Sequence, residues 1–230
     1  MKNKFTIAFL LFTLAELVSI IYPSVILHYI AKPLLIPTLI LLLLFSKTIK
    51  PGKVLLVTGL FFSWAGDIFL MLESKNALFF IAGLVCFLTT HIFYIIYFLR
   101  IQSQQISLLK RQPLLVLLVV GYGFSLVWLL FPHLGELKLP VIIYATVICT
   151  MLLCSLHVFT KVKSPDNLFY LVGAIAFVLS DSLLAFNKFY QPFSYAGIFI
   201  MLTYCAAQYF IVIGFIAQST ELAATHKCTL

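Results

Sequence analysis

Two aspartates, Asp67 and Asp181, are the residues of this chain best placed to do chemistry. Each is the only acid of a long apolar stretch, GLFFSWAGDIFLML at 59–72 and GAIAFVLSDSLLAF at 173–186. An ionised carboxylate in mid-bilayer costs about 3 kcal/mol even on lenient scales, so an acid kept there points to function. Two carboxyls in one low-dielectric cleft do not ionise together, and a neutral acid beside an ionised one is a general acid with a general base. That pairing suits hydrolysis of an acid-labile bond.

The two stretches also read as copies. Their aspartates are 114 residues apart, and the same offset aligns Phe79 with Phe193, Ala82–Gly83 with Ala196–Gly197, and Leu88–Thr89 with Leu202–Thr203. Residues 59–98 and 173–212 agree at eight of forty positions. Apolar helices match easily, but here a rare letter falls in register between glycines. We read an internal duplication, with halves of about 1–112 and 113–230 in one polytopic membrane domain.

The elements that must position these acids are membrane helices. With 63% hydrophobic residues, 10% charged and mean hydropathy +1.14, the chain is neither a water-soluble domain nor a disordered one. About twenty apolar residues cross the hydrocarbon. That ruler predicts eight spans, at 5–22, 25–45, 54–72, 77–99, 113–131, 139–160, 168–187 and 193–217. Pro23, Pro51, Pro113, Pro132, Pro140, Pro165 and Pro192 fall at or near span ends. Pro33 and Pro37 fall inside the second span and should free backbone carbonyls that need other partners. The N-terminal run has a signal-peptide outline but carries Glu16 and no A-x-A-like site, so it is expected to stay as the first helix. Cys86, Cys149, Cys154 and Cys205 lie in apolar runs without ligand spacing, which argues against a disulfide framework or a metal site.

Net charge +8 is a topology signal rather than a nucleic-acid footprint. With the N-terminus in the cytoplasm, Lys2, Lys4, Lys47, Lys50, Lys53, Arg100, Lys110, Arg111, Lys161, Lys163 and Lys227 fall inside, and only Lys75, Lys138 and Lys188 outside. Both termini are then cytoplasmic, and four spans per repeat make the halves parallel. This orientation makes depth readable. Asp67 and Asp181 lie roughly 8 Å below the outer ends of their helices at 1.5 Å per residue. Glu16, Lys32 and Tyr144 lie at a similar level. Thr90, His91 and Tyr94 correspond by the offset to Tyr204, Cys205 and Gln208, and Gly59, Ser63 and Gly66 let helices approach beside Asp67. A polar cleft open toward one leaflet is expected.

Plainer readings stand beside these. Lys32 can snorkel to the interface, Glu16 can pair with Lys32 purely for packing, and His91 can be a hydrogen-bonded core residue. Among sharper chemistries, no GxSxG elbow, HEXXH motif or phosphate-binding glycine loop occurs. The GxGD pattern of intramembrane aspartyl proteases is not met, since Ala65-Gly66-Asp67 lacks the first glycine and the second site reads Leu179-Ser180-Asp181.

At these residues the chain resembles the YhhN family of membrane proteins, which includes the lysoplasmalogenases. The matching elements are Lys32-Pro33-Leu34, Gly66-Asp67 with Leu70, then Phe79, Gly83, Phe87, His91 and Tyr94. In the second half they are Gly173-Ala174, Phe177, Ser180-Asp181, and Tyr204 with Gln208. The resemblance implies an eight-helix enzyme that hydrolyses the vinyl-ether bond of lysoplasmalogen, a lysophospholipid, with Asp67 and Asp181 as its paired aspartates. Lys32 would hold the phosphate, His91 or Tyr94 would order water, and no metal or organic cofactor would be required. Ser180 beside Asp181 tilts the acid's role only slightly toward that residue, and the two roles stay open. A proton-coupled transporter or lipid-binding protein is the rival reading, since buried acids at a repeat interface also suit a carrier. A second rival is a non-catalytic interaction protein whose acids hold the bundle together. The lack of retention or glycosylation motifs suits a bacterial inner membrane.

Overall fold

The computed structural model describes the backbone of residues 2–46 and 52–228, with side chains for 4–46 and 52–218. Lys47, Lys50 and Pro51 lie outside the described residues, as do the side chains of Lys2 and Lys227. The described chain is all helical: α1 (Lys2–Ile21), α2 (Val25–Leu44), α3 (Gly52–Met71), α4 (Ala77–Leu99), a short α5 (Leu108–Arg111), α6 (Leu114–Leu130), α7 (Lys138–Phe159), α8 (Asp166–Ala185) and α9 (Ala196–Cys228). All but α5 are long and apolar enough to cross a membrane, eight in number as predicted, and the protein is an integral multi-pass membrane protein.

Helix ends follow local chemistry. Ser24 caps α2, its Oγ accepting from the Leu27 amide, and Asn76 caps α4, its Oδ1 accepting from Leu78 at 2.9 Å. The predicted last span, 193–217, differs at both ends. It starts later because Pro192 and Tyr195, at φ 62°, occupy the turn before Ala196. It runs on to Cys228 because a helix needs no lipid to continue, and the apolar ruler ends where the apolar residues do. The seventh span passes at Phe186–Tyr190 into one turn of π-helix, which hydropathy does not register.

Helices that are apolar all round gain nothing by exchanging lipid for one another, so small and polar residues decide which faces meet. On α3, Gly59 and Gly66 stand against α4. A Cβ on Gly59 would lie 2.9 Å from Tyr94 Cε1, and one on Gly66 would lie 2.9 Å from Phe87 Cε2. α3 therefore lies along α4, as α8 does along α9 and α1 along α2. Contacts of α4 with α7, and of α9 with α1 and α2, join these pairs, whereas α6 packs chiefly on α7. The two prolines of α2 behave as expected. Pro37 has no amide hydrogen to offer the Pro33 carbonyl one turn earlier, and Trp64 Nε1 on α3 donates to that oxygen instead, at 2.9 Å.

Candidate active site

Asp67 lies four residues before the end of α3, and Asp181 four before the end of α8. Both line one cleft of about 260 Å3, whose walls also carry Glu16 of α1, Lys32 of α2, Ser180 of α8 and Tyr204 of α9. Four residues of the predicted layer, Asp67, Asp181, Glu16 and Lys32, thus share one cleft, whereas Tyr144 lies outside its walls.

Asp67 is 2% exposed and ends a chain of hydrogen bonds through the core. Tyr94 O–H donates to Gln208 Oε1 at 2.7 Å, and Gln208 Nε2 donates to Ser63 Oγ at 2.6 Å. Ser63 then gives its proton to Tyr204, 2.7 Å away, and Tyr204 donates to Asp67 Oδ2 at 2.6 Å. With Gln208 so oriented every donor points toward Asp67. Its Oδ2 is an acceptor, and a proton on this carboxyl would sit on Oδ1. Tyr94 and Gln208 thus serve from behind the cleft rather than lining it. The companion stripe predicted on the α4 and α9 faces is the source of this chain, and Ser63, expected only as a small residue for close approach, is its middle link.

Asp181 is held differently. Tyr144 O–H donates to its Oδ2 at 2.5 Å, and His91 Nε2 lies 3.0 Å from the same oxygen and 3.3 Å from the Tyr144 hydroxyl. His91 itself is fully buried, edge-on to Phe177 at 4.8 Å, and its Nδ1 has no partner among the described residues. In the Nε2–H tautomer the ring is a second donor to the carboxylate. Asp181 keeps 13% of its side chain exposed. Two donors at an open carboxylate and one at a sealed carboxyl make the aspartates unlike, despite their equivalent places in the sequence. Ser180 lines the cleft but turns its hydroxyl to the Ile200 carbonyl, 3.1 Å away, so it does not serve Asp181.

The pairing of Glu16 with Lys32 does not occur. Glu16, 1% exposed, takes His28 Nδ1 at 2.8 Å and the Ser19 hydroxyl at 3.3 Å. Reflection about the turn at Tyr22–Ser24 sets position 16 opposite 30, midway between 28 and 32, and the packing of α1 on α2 presents His28 to Glu16. Lys32 lies one helical turn farther along and makes no ion pair among the described residues. It faces the cleft half-buried, as a cation available to a ligand. His28 and Glu73 line the cleft without having been predicted. Reflecting the hairpin does not choose His28 over Lys32; Glu73 is bonded to Lys188 at 2.8 Å across 115 residues, a contact no local pattern signals. Among the described residues no group of three His, Cys, Asp or Glu side chains could hold a metal ion.

The chain is 29% identical over 168 residues to the lysoplasmalogenase TMEM86A of Bos taurus, covering 71% of this chain and 66% of that protein. It is 30% identical over 166 residues to the lysoplasmalogenase of Mycobacterium bovis, covering 70% of this chain and 59% of that one. Against the lysoplasmalogenase TMEM86A of Homo sapiens it is 30% identical over 183 residues, 78% of this chain and 72% of the human protein. The chain thus spans less than two thirds of the length of the bovine and mycobacterial relatives. No solved structure matches it. The family model of YhhN matches residues 27–215, a range that holds every residue of the site but Glu16, and the chain belongs to the YhhN family.

Proposed function

We propose that this protein hydrolyses the vinyl-ether bond of lysoplasmalogen, releasing a fatty aldehyde and a glycerophospho-alcohol. The observation that carries the reading is the pair of unlike carboxyls, Asp67 and Asp181, on one membrane cleft. The relatives' names point to the same substrate class. Asp67, with Oδ2 taken by Tyr204 and Oδ1 left to carry a proton, is the acid. It protonates the vinyl-ether carbon farther from oxygen, and an oxocarbenium ion forms. Asp181, steadied by Tyr144 and His91, stabilises that cation and takes a proton from the attacking water, as paired carboxylates do in glycoside hydrolysis. The hemiacetal then collapses to aldehyde and alcohol, with one water consumed. Lys32 holds the substrate phosphate in this scheme, with Glu16 and His28 beside it on the same wall.

The proposed setting is a parallel repeat with both termini cytoplasmic, so that the cleft opens near the outer interface. A site toward one end of its helices suits a lipid hydrolase better than a carrier, whose sites favour the midplane. The deciding experiment is aldehyde release from synthetic lysoplasmalogen by the detergent-purified protein, beside Asp67→Asn and Asp181→Asn variants of unchanged Tm. Turnover by the wild type and its loss in both variants is expected. A lipid that raises Tm yet yields no aldehyde would move the protein to the carrier or lipid-binding class.

A further inference from the structure

We propose that the aliphatic chain of the bound amphiphile leaves Asp181 on the side away from the polar cleft, and lies in an apolar groove between α6 and α7. This rests on the lysolipid reading above and assigns the place of the substrate's other half. Asp181 borders three spaces: the polar cleft, and two narrow apolar cavities of about 40 Å3 each. One of these, enclosed by α6, α7 and α8, is walled in part by Gly123, Val127, Ala145 and Cys149. The same four residues wall a groove of about 280 Å3 on the face shared by α6 and α7. These four residues are the partition between the narrow cavity at Asp181 and the groove that faces lipid, and the aliphatic chain would pass between them.

The groove is built for hydrocarbon. Its hydroxyls, Thr146 and Thr150, are returned to the carbonyls of Ile142 at 2.8 Å and Thr146 at 2.7 Å, so it offers a head group nothing. The cleft that holds the aspartates differs in carrying charge, with Glu16, His28, Lys32 and Glu73 set among apolar side chains such as Leu70, Phe87 and Met201. An amphiphile whose head lies in the cleft and whose chain runs through the narrow cavity toward the groove has the bond that joins them at Asp181, which borders both the cleft and that cavity. Gly123 sets the spacing of the helices there, since a Cβ would fall 2.7 Å from Cys149 Sγ. α6 packs chiefly on α7 and turns Leu117, Leu118 and Trp128 to lipid, so a chain can enter sideways from the bilayer. The throat is tighter than the groove. Tyr144, which borders both narrow cavities, is the side chain that swings to let a chain through.

The test is direct binding of saturated 1-O-alkyl lysophospholipids, which have no vinyl ether to cleave, in short-chain and long-chain forms. Thr150→Trp fills the groove at an exposed position the fold tolerates, and Ala145→Leu fills the throat. Long-chain affinity is expected to fall about tenfold in both variants, about 1.4 kcal/mol, with short-chain affinity held. The proposal is overturned if long- and short-chain affinities fall together, if neither falls in Thr150→Trp, or if the wild type is blind to chain length. It is also overturned if Ile20→Trp, at the opposite wall of the polar cleft, is the change that removes the long-chain preference. Because binding is read without hydrolysis, the two readings separate. Chain-length-dependent binding lost in these variants, with no aldehyde from lysoplasmalogen, keeps the groove and sinks the hydrolase; turnover with chain-blind binding does the reverse.

Discussion

Tyr204 and Tyr144 each donate to one aspartate, but they are not interchangeable. Tyr204 is the donor that closes the chain from Tyr94 to Asp67, whereas Asp181 has both Tyr144 and His91. Removing one hydroxyl from a buried network leaves its partners unsatisfied, at about 1–3 kcal/mol. Tyr204→Phe strips Asp67 of its donor and Ser63 of its acceptor, so kcat for lysoplasmalogen should fall about 10- to 100-fold at nearly constant KM. Tyr144→Phe leaves the imidazole in place, and its loss should stay below about tenfold. Equal losses in the two variants, measured on protein of matched Tm, would refute the unlike roles given to the aspartates. Lys32 is a separate matter: it faces the cleft with no ion pair among the described residues, and in the proposed scheme it acts on the bound state and the transition state alike. Lys32→Met should raise KM by about tenfold and leave kcat close to wild type, the loss of one charged hydrogen bond to phosphate. A fall in kcat at constant KM would place the lysine in the chemistry instead.

At the scale of elements, α2, which carries Lys32, is pinned to α3, which carries Asp67, through a carbonyl that Pro37 leaves free. Trp64→Phe keeps the ring volume roughly but removes the N–H, so the Pro33 oxygen loses its partner and the protein should lose about 1–3 kcal/mol. Pro37→Ala restores an amide in the right place, and in that background the Trp64→Phe penalty should shrink by half or more. A double-mutant cycle on Tm in detergent reads this coupling, and strict additivity would disprove it. The prolines also mark what the sequence made legible. Eight spans, the orphaned carbonyls of α2 and the companion stripe on α4 and α9 were readable because length, proline spacing and helical period are local properties. The Glu16–His28 pair was only half legible, since reflection about Tyr22–Ser24 leaves His28 and Lys32 equally near position 30, and packing decides between them. What could not be read depends on distant packing. The Glu73–Lys188 bridge, the turn of Ser180 toward Ile200, the three cavities meeting at Asp181 and the π-helical turn beyond α8 leave no periodic trace in the residues that make them.

For the molecule as a whole, the offset that relates Asp67 to Asp181 also relates Tyr94 to Gln208, and these two side chains touch at 2.7 Å. Equivalent positions meet only near the axis that relates two copies, so the hydrogen-bond chain to Asp67 starts where such an axis would run. The helix contacts follow the offset in part: α3 lies along α4 as α8 does along α9, α2 contacts α3 as α7 does α8, and α4 meets α7 as α9 meets α2, whereas the contact of α1 with α9 has no counterpart of like extent between α6 and α4. The Glu73–Lys188 ion pair joins the connection after α3 to the connection after α8, so these two ends share a face. The proposed parallel repeat would place them on one face, where an inverted one would set them on opposite sides. The charge distribution then predicts which side this is. In intact cells, single cysteines introduced for Lys75, Lys138 and Lys188 in a background without native cysteines should react with an impermeant thiol reagent. Those introduced for Arg100, Lys110 and Lys161 should react only after the membrane is opened. The reverse pattern would turn the molecule over and put the cleft in the inner leaflet, and labelling of Lys75 and Lys188 from opposite sides would remove the parallel repeat altogether. In the predicted orientation the aspartates lie just under the outer head groups. A lysolipid seated with its phosphate at Lys32 then needs to move little in depth to bring its ether bond to Asp67 and Asp181.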